Sequence, residues 1–145
     1  MGAYNFDIDL TSAKSVEDKF EFMLNSIHYD TTRCHSKEWD VEAVHPKTGV
    51  IKTFEIKNDE MAHKTGNIVV EVESRGKPSG ISTTKSDYWA FHFNDRFYIV
   101  KTSTLKERML ELAHRKYVIG GDAGSNTKMH IIKIEELRKI CEVII

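Results

Sequence analysis

Two runs of alternating apolar and polar residues, 39–44 and 51–57, predict a pair of half-buried strands in the first half of the chain. His45-Pro46-Lys47-Thr48-Gly49 between them carries the turn formers of a hairpin. Upstream, Val16, Phe20, Met23, Leu24 and Ile27 recur at helical spacing and predict a helix with one buried stripe, opened by Ser15 as cap. Residues 1–14 read as a short lead-in, and 28–37 as a polar loop holding Arg33, His35 and Lys37. Ile68, Val70 and Val72 alternate with Val69, Glu71 and Glu73, which predicts a third strand. Residues 82–86 predict a helical turn. The aromatic run 87–93 predicts a central strand, and Asn94-Asp95 a tight turn into strand 96–100. Thr104-Leu105-Lys106-Glu107 reads as a capping box for a helix with Leu105, Met109, Leu112 and Ala113 inward, ending on His114-Arg115-Lys116. A glycine-rich loop from Gly120 to Lys128, a strand at 129–134, a helix at 135–140 and an apolar tail at 143–145 complete the pattern.

Composition narrows the class. A chain of 145 residues with 40% hydrophobic and 30% charged residues predicts one soluble domain with a single core. The net charge of −1 gives no global basic field, so any nucleic-acid signal is local. Two cysteines, Cys34 and Cys141, lack metal-ligand spacing and predict reduced thiols in a cytoplasmic, intracellular setting. No apolar run reaches membrane-spanning length.

The hairpin brings candidate chemistry. Residues i and i+2 of a strand share a face, so Glu55 and Lys57 project together while Phe54 and Ile56 enter the opposite layer. Asp40, at the start of the neighbouring strand, approaches from the side. Two carboxylates supply the hard oxygen ligands that Mg²⁺ or Mn²⁺ takes, and an adjacent ammonium stabilises charge developing on a phosphate.

An acidic residue, a gap across a hairpin and then Glu-x-Lys resembles the PD-(D/E)XK phosphodiesterase superfamily, which includes restriction enzymes, Holliday junction resolvases and repair nucleases. Here the pattern reads Asp40, the gap, then Glu55-Ile56-Lys57, with Trp39 where that family has proline. The resemblance implies an α/β fold: a mixed central sheet flanked by helices, with a restriction-endonuclease-like αβββαβ core over about 15–102 and a C-terminal elaboration over 103–145. It implies Asp40 and Glu55 as metal ligands, the Ile56 carbonyl as a further oxygen ligand, and Lys57 as the group acting on the attacking water. It also implies DNA as partner and a homodimer. Lys64-Thr65-Gly66-Asn67, Glu71 and the loop Gly76-Lys77-Pro78-Ser79-Gly80 resemble small phage- or virus-encoded nucleases of this class, which would act inside a host cell.

Further candidates surround this core. Glu17 lies beside the buried stripe of the first helix, where relatives carry an accessory glutamate; favouring the positive helix N-terminus is its other reading. Glu71 belongs either beside Glu55 on an adjacent strand or on a solvated face. Arg75, Lys77 and Lys85, set among glycines and hydroxyls with no carboxylate, suit phosphate contacts, as does Lys64. The loop near Arg115, Lys116 and Lys128 reads equally as phosphate contact or connector. His92 in the aromatic strand reads as a core histidine.

The expected activity is metal-dependent endonucleolytic hydrolysis of DNA, with branched DNA as the first substrate. Two alternatives use the same residues. One is a nucleic-acid-binding module that does no chemistry; the other is a protein–protein adaptor that exposes the aromatics 88–93.

Overall fold

A computed structural model describes residues 16–34, 38–113, 117–121 and 123–145. The lead-in 1–14, the Ser15 cap, His35 and Lys37 of the polar loop, the basic helix end at 114–116 and Asp122 lie outside the described residues.

The protein is mixed α/β. Helix α1, described from residue 16 to 26, lies on one side of a six-stranded mixed sheet. Strands β1 (Asp30–Arg33), β2 (Val41–Val44), β3 (Ile51–Asn58), β6 (Tyr88–Phe93), β7 (Arg96–Lys101) and β10 (Val143–Ile144) form that sheet in the order β1-β2-β3-β6-β7-β10. A second sheet covers the other side. It orders β5 (Lys77–Pro78), β4 (Asn67–Ser74), β9 (Thr127–Lys133) and β8 (Val118–Gly120) as β5-β4-β9-β8. The helices α2 (Ala62–Thr65), α3 (Thr102–Leu112) and α4 (Ile134–Ile140), with a 3-10 turn at Gly80–Ser82, complete the chain. Among the described residues, no helix is long and apolar enough to cross a membrane.

Alternation along each strand divides the interior into two cores. Val16, Phe20 and Leu24 of α1 pack on Val41, Ala43, Phe54, Ala90, Phe97 and Ile99, with the Phe20 ring edge-on to Phe54 at 4.9 Å and to Phe97 at 5.0 Å. Between the sheets, Ile68, Val70 and Ile132 meet Trp89, Phe91, Phe93, Tyr98 and Val100, closed by Leu105, Met109 and Leu137 from the helices. The aromatic strand is therefore core. Trp89, Phe91 and Phe93 are at most 3% exposed, which removes the adaptor reading that required them at the surface.

Four sequence expectations change. The polar stretch 28–37 contains a strand: β1 pairs antiparallel with β2. Its alternation of exposed and half-buried positions is that of an edge strand, which shows no apolar period. The third expected strand, β4, joins the second sheet, because its apolar face is buried against the first sheet rather than beside β3. Strand β6 takes the place beside β3, in parallel, with Glu55 opposite Trp89 and Lys57 opposite Phe91. The crossover from β3 to β6 thus runs through α2, β4, β5 and the 3-10 turn. Helix α3 starts at Thr102, with no side-chain cap on its first turn. The Thr102 amide donates instead to the Asp87 carbonyl at 2.9 Å, so a tertiary bond fixes the start that the sequence assigned to a capping box. Residues 103–145, expected as an elaboration, supply β8, β9 and β10 and so complete both sheets.

Candidate active site

Pairing between β2 and β3 ends at Val41 opposite Phe54. The chain before it is fixed by the Asp40 amide donating to the Phe54 carbonyl at 2.9 Å, and by the Cys34 amide donating to the Asp40 carbonyl at 2.7 Å. Two residues beyond that last pair, the Ile56 amide has no ladder partner on this side. Asp40 replaces it, its Oδ2 accepting the Ile56 N–H at 2.7 Å. The amide and carbonyl of one strand residue point the same way, so the Ile56 carbonyl faces this edge too.

Glu55 and Lys57 leave β3 on the opposite face from Phe54, as their spacing predicts, with Lys57 Nζ 3.3 Å from Glu55 Oε1. Lys57 Nζ also lies 5.3 Å from the centroid of the buried Trp89 ring, a cation–π contact that restrains an otherwise flexible side chain. Burial raises the pKa of the Glu55 carboxyl; Asp40 and Glu17 add to the rise, and Lys57 opposes it. Burial likewise raises Glu17, followed by the repulsion of Asp40, with Arg33 acting in the opposite sense. Glu17, Asp40 and Glu55 therefore share one electrostatic field, although they come from α1, the lead into β2, and β3.

Arg33 holds Glu17 in place. Its Nη1 donates to Glu17 Oε2 at 2.9 Å, and its Nη2 to Asp18 Oδ1 at 2.7 Å and Glu21 Oε2 at 3.1 Å. This arginine on β1, expected in a loop, thus ties α1 to the edge of the first sheet beside the site. The available signal was Glu17, Asp18 and Glu21, three carboxylates clustered on one helix, which favour a cation opposite.

The donor set suits a hard divalent cation: two carboxylates and a carbonyl oxygen, with a third carboxylate close enough to repel them. Among the described residues, no three His, Cys, Asp or Glu side chains are already gathered tightly enough to enclose a metal ion. Carboxylates raised by burial and by one another are the groups a cation relieves.

The remaining candidates fall at different distances. Lys85 reaches the site edge, its Nζ 3.9 Å from Glu38 Oε1, two residues before Asp40. Lys64 is exposed on α2, beyond the end of β3. Arg75 and Lys77 are exposed at the β4–β5 turn of the second sheet. The Arg75 amide donates to the Ser125 carbonyl at 2.7 Å, and Ser74 Oγ lies 3.1 Å from Thr127 Oγ1, so the two glycine-rich loops meet. Lys128 there is paired with Glu73 at 3.2 Å. Gly80 sits with φ +56°, and a Cβ on it would fall 2.3 Å from the Glu71 carbonyl oxygen, so the close approach of this loop to β4 requires glycine.

Of the two readings of Glu71, the structure selects the one away from the site. Glu71 does not adjoin Glu55: it lies on β4 in the second sheet, opposite Met129, on the face turned away from the Ile68–Val70 core. His92 is buried, with Nδ1 3.4 Å from Asn58 Oδ1 and its ring 4.7 Å from Phe97. Burial lowers its pKa, in keeping with a core histidine.

A carboxyl whose pKa is raised in the folded protein stabilises the fold only when protonated. That contribution is complete below the unfolded pKa and is lost as pH rises through the folded value. At neutral pH the ionised Glu55 therefore costs stability. Glu55→Gln should raise the unfolding free energy by about 0.5–2 kcal/mol at pH 7, and the gain should vanish as the pH falls below the carboxylate range. Urea unfolding at both pH values measures it; equal stability at pH 7 would mean that Lys57 neutralises Glu55 fully. Comparison with protein-family models, curated proteins and solved structures finds no match to this chain.

Proposed function

We propose that the chain is a Mg²⁺- or Mn²⁺-dependent endonuclease of PD-(D/E)XK type that hydrolyses phosphodiester bonds in DNA, works as a homodimer and prefers branched substrates. The observation that carries this reading is the 2.7 Å bond from the Ile56 amide to Asp40. It brings the acidic residue of the hairpin onto the Glu-x-Lys strand at its middle residue, and a merely solvated Glu/Lys pair has no need of it. The order α1, β1, β2, β3 and then a parallel β6 also supports the reading. The departure is the crossover before β6, which carries two strands of the second sheet in place of a full helix.

In this reading Asp40 and Glu55 would hold the cation, with the Ile56 carbonyl as a further oxygen ligand. When bound, the cation supplies Lewis acidity and a more acidic water. Asp40 is oriented by the Ile56 amide, so one of its oxygens is fixed and the other is left for a ligand. Glu55 keeps Lys57 Nζ within reach of the same spot, and the Trp89 ring limits where that ammonium can go. Lys57 then places positive charge where negative charge builds on the phosphate oxygens during attack. Glu17, held by Arg33, adds negative charge at the helix side of the site and draws the cation toward it.

The decisive experiment incubates the protein with branched, duplex and single-stranded DNA in Mg²⁺, in Mn²⁺ and in chelator. Cleavage in either metal and none in chelator is expected. A nucleic-acid-binding module without chemistry draws its support from the open spacing of the three carboxylates. It would bind DNA equally well in chelator and cut nothing. For the basic turn, Arg75→Ala combined with Lys77→Ala should weaken binding of all DNA sequences alike. The slope of log affinity against log salt should become shallower by about one for each phosphate that the two side chains neutralise. An unchanged slope removes that turn from the interface.

A further inference from the structure

At the far side of the first sheet, a cleft of about 520 Å³ is lined by Asn94, Arg96, Tyr98, Arg138 and Ile144. Arg96 and Tyr98 leave β7 on the same face, and Ile144 of β10 stands opposite Tyr98. The buried Tyr98 ring is stacked on Phe93 at 4.2 Å and 4°, which makes a rigid wall. Asn94 enters from the β6–β7 turn, held at φ +52°. Arg138 comes from α4, whose Leu137 anchors that helix in the core between the sheets.

The two arginines differ from the structural ones. Arg33 is bonded to three carboxylates and Arg108 to Glu111 and Glu136. Among the described residues, neither Arg96 nor Arg138 forms a salt bridge, although Asp95 follows Asn94 in the turn and Glu135 lies one turn before Arg138 on α4. Two unneutralised guanidinium forks on one cleft, beside a side-chain amide, match a group with charge near −2 and several acceptor oxygens. A phosphate monoester carries about −1.5 to −2 at neutral pH.

We propose that this cleft binds a phosphate monoester dianion, either the terminal phosphate of a nucleic-acid strand or free phosphate. It is a separate site from Glu55 and Lys57. Lys57 stands opposite Phe91 and Phe91 opposite Tyr98, so about 10 Å of sheet lies between them at ~4.8 Å per strand. Asp59, Glu60 and Asp95 line the surface around Asn58 and Asn94 between the two, which interrupts any continuous phosphate track.

The test needs no cleavage, so it stands apart from the nuclease reading. The whole protein is titrated with inorganic phosphate, with chloride at matched ionic strength as the control, and followed by amide shifts in two-dimensional NMR. Saturable shifts around residues 94–98 and 138 are expected, with a Kd on the order of 1 mM. Arg96→Gln and Arg138→Gln should each weaken binding roughly tenfold; both side chains are exposed, so neither change disturbs the core. A 5′-phosphorylated oligonucleotide that binds at least tenfold tighter than its unphosphorylated twin, with that advantage lost in the double variant, identifies a strand terminus as the ligand. Equal binding of the two oligonucleotides alongside saturable inorganic phosphate identifies free phosphate. Shifts that do not saturate, that chloride reproduces or that persist in the double variant overturn the proposal.

Discussion

Lys57→Ala is expected to cut single-turnover DNA cleavage by about 10²–10³, roughly 3–4 kcal/mol of barrier, while leaving DNA affinity measured in Ca²⁺ nearly unchanged. The geometry sets both halves of that result. The Lys57 side chain is 44% exposed, with Nζ held 3.3 Å from Glu55, so it lies at the surface of the site and is preorganised by a carboxylate and an aromatic ring. Its removal opens no cavity, but it leaves the largely buried Glu55 carboxylate without its cation and the Trp89 ring without its ammonium, so a stability loss of about 1–2 kcal/mol at neutral pH should accompany it. Lys57→Arg should also be slow, because the guanidinium is larger and holds its proton at any working pH. Cleavage at the wild-type rate would reduce Glu55-Ile56-Lys57 to a charged strand face. A parallel loss of affinity and rate would make Lys57 a phosphate anchor.

The pattern of this site was legible in the sequence because strand parity is a local rule. Glu55 and Lys57 on one face, and Phe54 and Ile56 on the other, follow from a period of two whatever the rest of the chain does. The helix stripe of Val16, Phe20 and Leu24 was legible for the same reason. The placement of Glu71 was not. Val70 and Val72 state that β4 buries one face, but nothing in their alternation says which sheet the strand joins. That choice is made by β9, about 60 residues later, whose Ile132 completes the same apolar face. Strand β1 was hidden for the opposite reason: an edge strand of Asp30, Thr31, Thr32 and Arg33 has no apolar face to show. Missing it also hid Arg33, and with it the ion-pair partner of Glu17.

The partners of Glu17 alter how the site is understood. From the sequence, Glu17 was either an accessory carboxylate or a residue favoured by its helix N-terminus. Burial raises its pKa, with Asp40 as the second cause, and the Arg33 bond explains why a partly buried glutamate is tolerated there. Arg33 balances three carboxylates with one charge.

Asp40→Asn should produce the largest change. Asparagine keeps the shape, and its Oδ1 can still accept the Ile56 amide that Asp40 now binds at 2.7 Å, so β3 should stay in register. What the proposed site would lose is one unit of negative charge from a donor set with few ligands. Loss of a charged metal ligand removes several kcal/mol of transition-state stabilisation, or roughly 10³ or more in rate. Mn²⁺ affinity, followed by paramagnetic resonance, should fall with it. The hydrogen bond to a neutral amide is also weaker than one to a carboxylate, which predicts a modest stability loss of about 1 kcal/mol. Repulsion on Glu55 and Glu17 falls at the same time, and their pKa values should move down toward the ordinary carboxylate range. The two effects can be separated. If metal affinity and cleavage both collapse while urea unfolding shifts by no more than that amount, Asp40 is a ligand. If stability collapses and the folded fraction still binds Mn²⁺ as tightly as the wild type, Asp40 is only the staple that closes the edge of β3, and the cation is held by Glu55 and Glu17 alone.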